Sequence, residues 1–256
     1  MHIYATLFFE DSQGIRIMRY LLIALLQGFL AFTASGCWLR EIPELSGKRI
    51  ITEKKAQNFN SIKVGSGFRL ILHMGNEEHV QIEADSALMP YIEMKQTANT
   101  LEFKTKKDVY FHDKGNVLIH VNARNIKGIE ASGGASVQAD TIRNNQIAIA
   151  LSGGSTMQGF IISEKLDIDQ SGGSELDLKG NTIVYTLESS GGSITKGFAM
   201  NTDEMNIDIS GGGNVEITTN KKLNVDASGG STIIYKGNGG NSGRQSTSGG
   251  SQIIKH

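Results

Sequence analysis

Cysteine is almost missing from this chain of 256 residues, with Cys37 alone. That excludes an intrachain disulfide and a structural metal site built on several thiolates. Proline occurs only at Pro43 and Pro90. With so little proline, and no glycine at every third position, a collagen-like chain is excluded as well. Aromatic residues make up 7%, and Trp38 is the one tryptophan, which argues against a carbohydrate cleft paved with stacked tryptophans. Neither sign of charge dominates: 25 Lys and Arg stand against 26 Asp and Glu. A nucleic-acid partner or a general attraction to anionic membrane surfaces is therefore not expected. The length allows a large core in one or two domains.

Long apolar runs are also scarce, and the one that stands out lies near the start. Tyr20 to Thr33 is apolar apart from Gln27, Gly28 and Thr33, follows Arg19, and is succeeded by Ala34-Ser35-Gly36-Cys37. A basic start, a short apolar centre and small residues at the end describe a secretory signal. The run is shorter than the roughly 20 apolar residues of an ordinary membrane-spanning helix. Ala-Ser-Gly-Cys resembles a bacterial lipobox, in which the cysteine becomes the first residue and receives lipid. Cys37 is thus the expected lipidation site, residues 18–36 the signal peptide, and residues 37–54 a tether. Two acyl chains would supply stable attachment. Met18, just before Arg19, would begin a signal of ordinary length, so residues 1–17 read as an upstream extension.

Glycine is what the chain has in excess, with 31, of which 22 lie after Ala131. Ser-Gly-Gly begins at Ser132, Ser152, Ser171, Ser190, Ser210, Ser228 and Ser248, at spacings of 20, 19, 19, 20, 18 and 20 residues. So constant a period is the mark of a repeat architecture. Three residues before the serine stand Ile129, Ile149, Ile168, Leu187, Ile207, Val225 and Gln245, and five before it Ile147, Leu166, Tyr185, Met205 and Leu223. Five after it come Val137, Met157, Leu176, Val215 and Ile233, whereas the Ser190 coil has its apolar residue one place early, at Ile194. Apolar residues two apart predict strands with one face buried. Each unit therefore predicts a strand, a sharp glycine corner and a second strand. The β-branched content and the glycine pairs oppose a helix. Stacked in parallel, the coils place each apolar column on itself about 4.8 Å along the axis. The expected fold is all-β, a parallel right-handed β-helix (solenoid) with about 20-residue coils, the hand following from the crossover rule. The turn serine is expected to bond a neighbouring backbone group. Gly159, Gly180, Gly197 and Gly237 suggest a return corner. Residues 237–246 read as a loop, and Ser251 to Lys255 as a final strand that caps the stack.

Residues 55–130 read as an N-terminal β region leading into the repeat at 131–256. Strands are predicted at Phe59–Val64, Phe68–His73, His79–Glu83, Tyr91–Lys95, Thr100–Thr105 and Asn116–Val121. A loop is predicted at Asp108–Gly115. His73, His79, His112 and His120 occur here beside Glu77, Glu78 and Asp113, but their spacing fits no helical His-x-x-x-His site. The expected reading is ordinary surface polarity, with no metal and no cofactor.

Two residues before each turn serine lie Glu130, Ala150, Asp169, Glu188, Asp208, Asp226 and Ser246. The position falls between inward columns and should face outward. Asp169, Glu188, Asp208 and Asp226 are then expected to form an acidic ridge on one outer face. It reads either as a solvated, aggregation-resistant face or as a ridge that gathers divalent cations or docks a basic partner, with Lys165, Lys221 and Lys222 near enough in sequence to offset part of its charge.

The Ser-Gly-Gly turns, Tyr235-Lys236-Gly237-Asn238 and the ending Ser248-Gly249-Gly250-Ser251-Gln252-Ile253-Ile254-Lys255 resemble the auto-transporter adhesin head GIN domain family (DUF2807) over about Phe59 to Lys255. The resemblance implies an exported β-helical protein, often a lipoprotein, and the expected location is the Gram-negative cell envelope, as an outer-membrane lipoprotein facing either the periplasm or the cell surface. It transfers no functional residues. Two functions are then open. One is a binding, adhesion or structural module, attached to the membrane through Cys37 and meeting a polysaccharide or an envelope protein. The other is a polysaccharide lyase or hydrolase, since β-helices also carry such enzymes. The repeat contains no histidine between Val121 and Lys255, and Arg143 and Arg244 are its only arginines. No Ser-His-Asp set or phosphate loop can be placed there, so no catalytic residue is assigned.

Overall fold

A computed structural model describes residues 43–106 and 117–256. The expected extension, signal peptide and lipidated Cys37 lie outside the described residues, as do the 108–115 loop and His112. Among the described residues no helix is long and apolar enough to cross a membrane. Among the described residues the regular structure is strand, with 3-10 turns at Met89–Tyr91 and Gly239–Asn241.

Strands alternate between inward and outward residues because each coil buries one face. β2 (Ser61–Val64), β3 (Arg69–Met74), β6 (Thr100–Thr105) and β7 (Leu118–Ala123) precede the repeat. β8 (Gly128–Ala131), β9 (Ser136–Arg143) and β10 (Gln146–Leu151) begin it, and β11 (Thr156–Gln170), β12 (Glu175–Gly191), β13 (Ile194–Gly211) and β14 (Asn214–Gly229) bend around corners within single long strands. β15 (Thr232–Lys236), β16 (Gln245–Thr247) and β17 (Gln252–Lys255) close the stack. Before each glycine corner runs a first wall, β6-β2-β8-β10-β11-β12-β13-β14-β16, all parallel. After it runs a second, β7-β3-β9-β11-β12-β13-β14-β15-β17, also parallel. The β-solenoid expected from the repeat is therefore present, and it extends into the region before Ala131.

The order of coils at the N-terminal end departs from chain order. The β2/β3 coil lies between β8/β9 on one side and β6/β7 on the other, so a later segment forms the outermost coil. Antiparallel returns make this arrangement. β4 (His79–Asp85) runs back beside β7, β5 (Ile92–Thr97) makes a hairpin with β6, and β1 (Arg49–Lys54) adds to β4. The last part of the expected tether is thus folded as an edge strand. Its charged residues Arg49, Glu53 and Lys54 discourage pairing with another chain. The entry is held by the nearly buried Asp85 carboxylate. It accepts from Ser46 Oγ at 2.7 Å, Ser46 N at 3.0 Å, Gly47 N at 2.8 Å and Ala87 N at 2.8 Å. Burial pushes this carboxyl up, but the Ser46 hydroxyl and the Ala87, Ser46 and Gly47 amides outweigh it and hold the pKa down at about 2.

One continuous core fills the solenoid. On the first wall Leu101, Ile62, Ile129, Ile149, Ile168, Leu187, Ile207 and Val225 stack in register, and all are buried. Gln245 ends the column as a polar cap. Each buried aliphatic side chain contributes roughly 1.5–3 kcal/mol. Tyr185 is core, as its column position implies, and burial pushes its phenol well above the ordinary range. In the coil after Ser190 the register holds and the inward residue is Thr195, between Leu176 and Val215. Ile194 is 38% exposed. Thr195 Oγ1 donates to the Oε1 of buried Gln170, whose Nε2 donates to Ser174 Oγ at 3.4 Å and Ile194 O at 3.3 Å. A buried polar pair thus replaces an apolar contact where the column breaks.

At the glycine corner, Gly153, Gly172, Gly191, Gly211 and Gly229 all have positive φ and lie one above another. Backbone bonds link the stack, including Gly192 N to Gly172 O at 2.9 Å and Gly230 N to Gly211 O at 2.7 Å. The buried hydroxyl of the corner belongs to the residue after the glycines rather than to the turn serine. Ser155, Ser174, Ser193 and Ser231 are buried, and Ser155 Oγ donates to Ala131 O at 3.0 Å.

Candidate binding face

The outward residues of the first wall form two neighbouring columns. In one, Glu102, Lys63, Glu130, Ala150, Asp169, Glu188, Asp208, Asp226 and Ser246 follow in register. Asp169, Glu188, Asp208 and Asp226 are exposed on the same face. Adjacent carboxylates therefore stand about one strand spacing, roughly 4.8 Å, apart at the backbone. In the second column lie Ala148, Asp167, Thr186, Asn206 and Asn224. Asn224 Nδ2 donates to Asn206 Oδ1 at 2.8 Å, and the Arg244 amide donates to Asn224 Oδ1 at 3.0 Å.

Between the columns the surface sinks. One hollow of about 280 Å³ is lined by Thr186, Glu188, Asn206, Asp208, Asn224, Asp226 and Arg244 among others. A second, of about 390 Å³, extends from Glu188 and Thr186 through Asp169 and Asp167 to Ala150, Ala148, Gly128 and Ser61. Both hollows are shallow and open, and their linings share Thr186 and Glu188, so they adjoin as one open trough across the strands. Small residues make the floor at one end because Gly128, Ala148 and Ala150 take outward positions there.

Charge is distributed unevenly along this face. Lys63 pairs with Glu130, Lys104 with Glu102 at 2.9 Å and Lys165 with Asp167 at 2.9 Å. Lys221 pairs with Asp203 at 2.9 Å, on another part of the coil. Among the described residues none of the four ridge carboxylates takes part in an ion pair: of the lysines expected to offset the ridge, Lys165 and Lys221 pair with Asp167 and Asp203 instead, and Lys222 pairs with none of the four. Among the described residues no three His, Cys, Asp or Glu side chains stand close enough, as placed, to enclose a metal ion. The trough can therefore offer a row of hydrogen-bond acceptors and negative charge, with an arginine at one end. The acidic column was readable from the offset to each serine. The Asn/Thr column lies two residues earlier, but its meaning depends on the hollow, which no spacing reveals.

Comparison with solved structures supports the same architecture. A protein described as "a putative adhesin" from Bacteroides fragilis superposes with a TM-score of 0.75 at 20% identity, covering 84% of this chain and 100% of the other. One described in the same words from Parabacteroides merdae gives 0.65 at 18% identity, covering 84% and 99%. A "putative lipid binding protein" from Parabacteroides distasonis gives 0.64 at 17%, covering 84% and 100%. At these identities the likeness is one of fold. No curated relative matches the chain. The profile described as "Putative auto-transporter adhesin, head GIN domain" matches residues 58–239. The match begins just before β2 and ends at the turn before β16, leaving the Ser248 to Lys255 ending outside. With its coils spanned from the first inward column almost to the last, the chain belongs to the head GIN domain family (DUF2807).

Proposed function

We propose that this protein is an exported, lipid-anchored binding module of the Gram-negative cell envelope, which holds an extended polysaccharide in the trough of its first wall. The observation that carries the reading is the trough itself. It crosses successive coils, and four consecutive carboxylates that form no ion pair among the described residues line it. A linear chain lying across the strands would meet the same acceptor groups at each coil, and sugar hydroxyls or amines are suitable donors. The glycine and alanines at one end let such a chain approach the backbone closely. Anchoring follows from the lipobox-like segment ending in Cys37. Membership of an adhesin-named family supports the placement in the envelope.

A glycan array probed with the full mature chain tests the binding reading. Saturable binding should be lost when Asp169, Glu188, Asp208 and Asp226 are changed together to the corresponding amides. Binding that survives the quadruple change would remove the trough from the proposal, and capture of an envelope protein without any glycan would replace the polysaccharide. Anchoring is tested separately: palmitate labelling in a bacterial host should vanish on Cys37→Ala, and unchanged labelling would overturn it.

A further inference from the structure

Each coil of the solenoid presents backbone acceptors to the next, and those of the last coil meet no donor among the described residues. On the first wall Ser152 N donates to Ala131 O at 2.9 Å, Ser171 N to Leu151 O at 2.9 Å and Ser248 N to Ala227 O at 2.8 Å. On the second wall Thr156 N donates to Ala135 O, Glu175 N to Ser155 O and Gln252 N to Ser231 O, each at 2.9 Å. The corresponding acceptors of the last coil are Thr247 O and Ser251 O. Among the described residues β16 pairs only with β14, and β17 only with β15. Successive residues of a strand turn their N–H and C=O to opposite sides, so Gln245, Thr247 and Ile253 direct theirs to this open edge. The edge lacks the usual protection: β16 and the Gln252, Ile253 and Ile254 of β17 contain neither charge nor proline. The core is also unfinished there. Ile253 is only partly buried although Ile233 beneath it is fully buried, and Ile254 is 43% exposed. At the other end of the stack, antiparallel β4 and β5 and the charged β1 cover the coil.

We infer that this edge is the interface with a second copy of the chain, joined end to end about a two-fold axis through the Gly249–Gly250 corner. The first wall runs towards that corner and the second away from it, and Thr247 and Ser251 stand equally far from Gly249. Rotation about an axis that bisects the corner therefore lays β17 of one copy antiparallel on β16 of the other, and β16 on β17. Gln245 comes opposite Ile253 of the second copy, and Thr247 opposite Ser251 of the second copy. All four continue buried columns, those of Val225, Ala227, Ser231 and Ile233, so each copy covers the open end of the other's core. The contact is isologous: residue i meets j and j meets i. The same geometry selects the occupant. A foreign strand would pair one wall and leave the other open, whereas a second copy pairs both in one operation. Glycines at the axis have no side chain to hold the corners apart. Arg244, on the outer face, and Lys255, beyond Ile253, fall at the far ends of the ladders, so like charges do not meet at the axis. Consecutive turn serines stand 18 to 20 residues apart, so a coil end comes close to the roughly 20–30 residues a side of a standard interface.

The test is sedimentation velocity of the full mature chain carrying Cys37→Ala, so that neither lipid nor the native thiol links chains. A dimer that dissociates on dilution is expected. Gln245→Lys, at an exposed position, should weaken it about tenfold or more, because the ammonium would be buried beside Ile253 of the second copy without a partner. Residues opposite each other in a hydrogen-bonded antiparallel pair have Cα atoms about 5.5 Å apart, a distance a disulfide can span. In the same background, Gln245→Cys chains mixed with Ile253→Cys chains should therefore form a cross-linked dimer on mild oxidation, while neither variant links to itself. Any variant that does not melt as the parent does is set aside, and Thr247→Cys mixed with Ser251→Cys takes the place of the first pair. A monomer at every concentration up to the solubility limit would overturn the inference and leave the edge to a different chain. A dimer whose mixed cysteine variants fail to cross-link, or whose single variants link to themselves, would overturn it equally.

Discussion

Adding one methyl group to the glycine stack should cost far more at one glycine of a pair than at its neighbour. Gly229 has φ +89°, and a Cβ built there lies 2.4 Å from Gly211 O, 2.9 Å from Gly211 N and 3.0 Å from Gly211 Cα. All three are backbone atoms of the coil below and cannot rotate away. The left-handed conformation alone costs an L-residue about 1–2 kcal/mol. Forcing the coils apart adds about 1–3 kcal/mol, the usual cost of overpacking. Gly229→Ala should then lose about 2–5 kcal/mol, a large share of the roughly 5–15 kcal/mol that holds a typical domain together. Gly230 is not left-handed, and a Cβ there meets nothing within 4 Å. Gly230→Ala should stay within about 0.5 kcal/mol of the parent. Nothing around Gly230 explains why glycine recurs at that place. Urea unfolding followed by far-ultraviolet circular dichroism measures both variants, with the slope checked for constancy so that midpoints can be compared. A Gly229→Ala midpoint equal to the parent's, or a Gly230→Ala loss as large, would refute the stacking explanation of the repeat.

Asp85 gives a pH dependence with a definite sign. Its folded pKa of about 2 lies below the ordinary aspartate value of about 3.9. Its stabilisation is therefore fully present above about pH 4 and lost as pH falls towards 2. Melting temperatures measured across that window should fall less steeply in Asp85→Asn, and equal slopes would show that the Ser46–Gly47 clamp does not depend on the charge. Thr195→Val removes the donor to buried Gln170 Oε1 and should cost about 1–3 kcal/mol in urea unfolding, the penalty of an unpaired buried acceptor. Combining it with Gln170→Leu should cost less than the two single changes added together. Additive losses would mean the pair is not coupled. Replacing the four ridge acids by amides should raise the melting temperature at low salt, because like charges one strand apart repel. The difference should shrink in 1 M salt, where the screening length is about 3 Å, and a gap independent of salt would exclude repulsion as its cause.

Much of the architecture was determined by the sequence alone, for a physical reason. In a parallel solenoid the step between coils equals the repeat length, so a fixed offset from the glycine corner becomes a fixed column in space. Ile149, Ile168, Leu187 and Ile207 could therefore be placed inward, Tyr185 in the core, and Asp169, Glu188, Asp208 and Asp226 on one outer face. The same rule explains why Ile194 misled: its apolar character conflicted with the register, and the hydrogen-bonded ladder kept Thr195 inward. Before Ala131 no repeat ties offset to position. There only tertiary pairing decided that β6/β7 lies outside β2/β3, that Arg49–Lys54 is an edge strand, and that His73, His79 and His120 share a patch. The trough belongs to the same class, because a hollow depends on how outward side chains of different size and charge stand beside one another across strands, and periodicity carries no measure of depth.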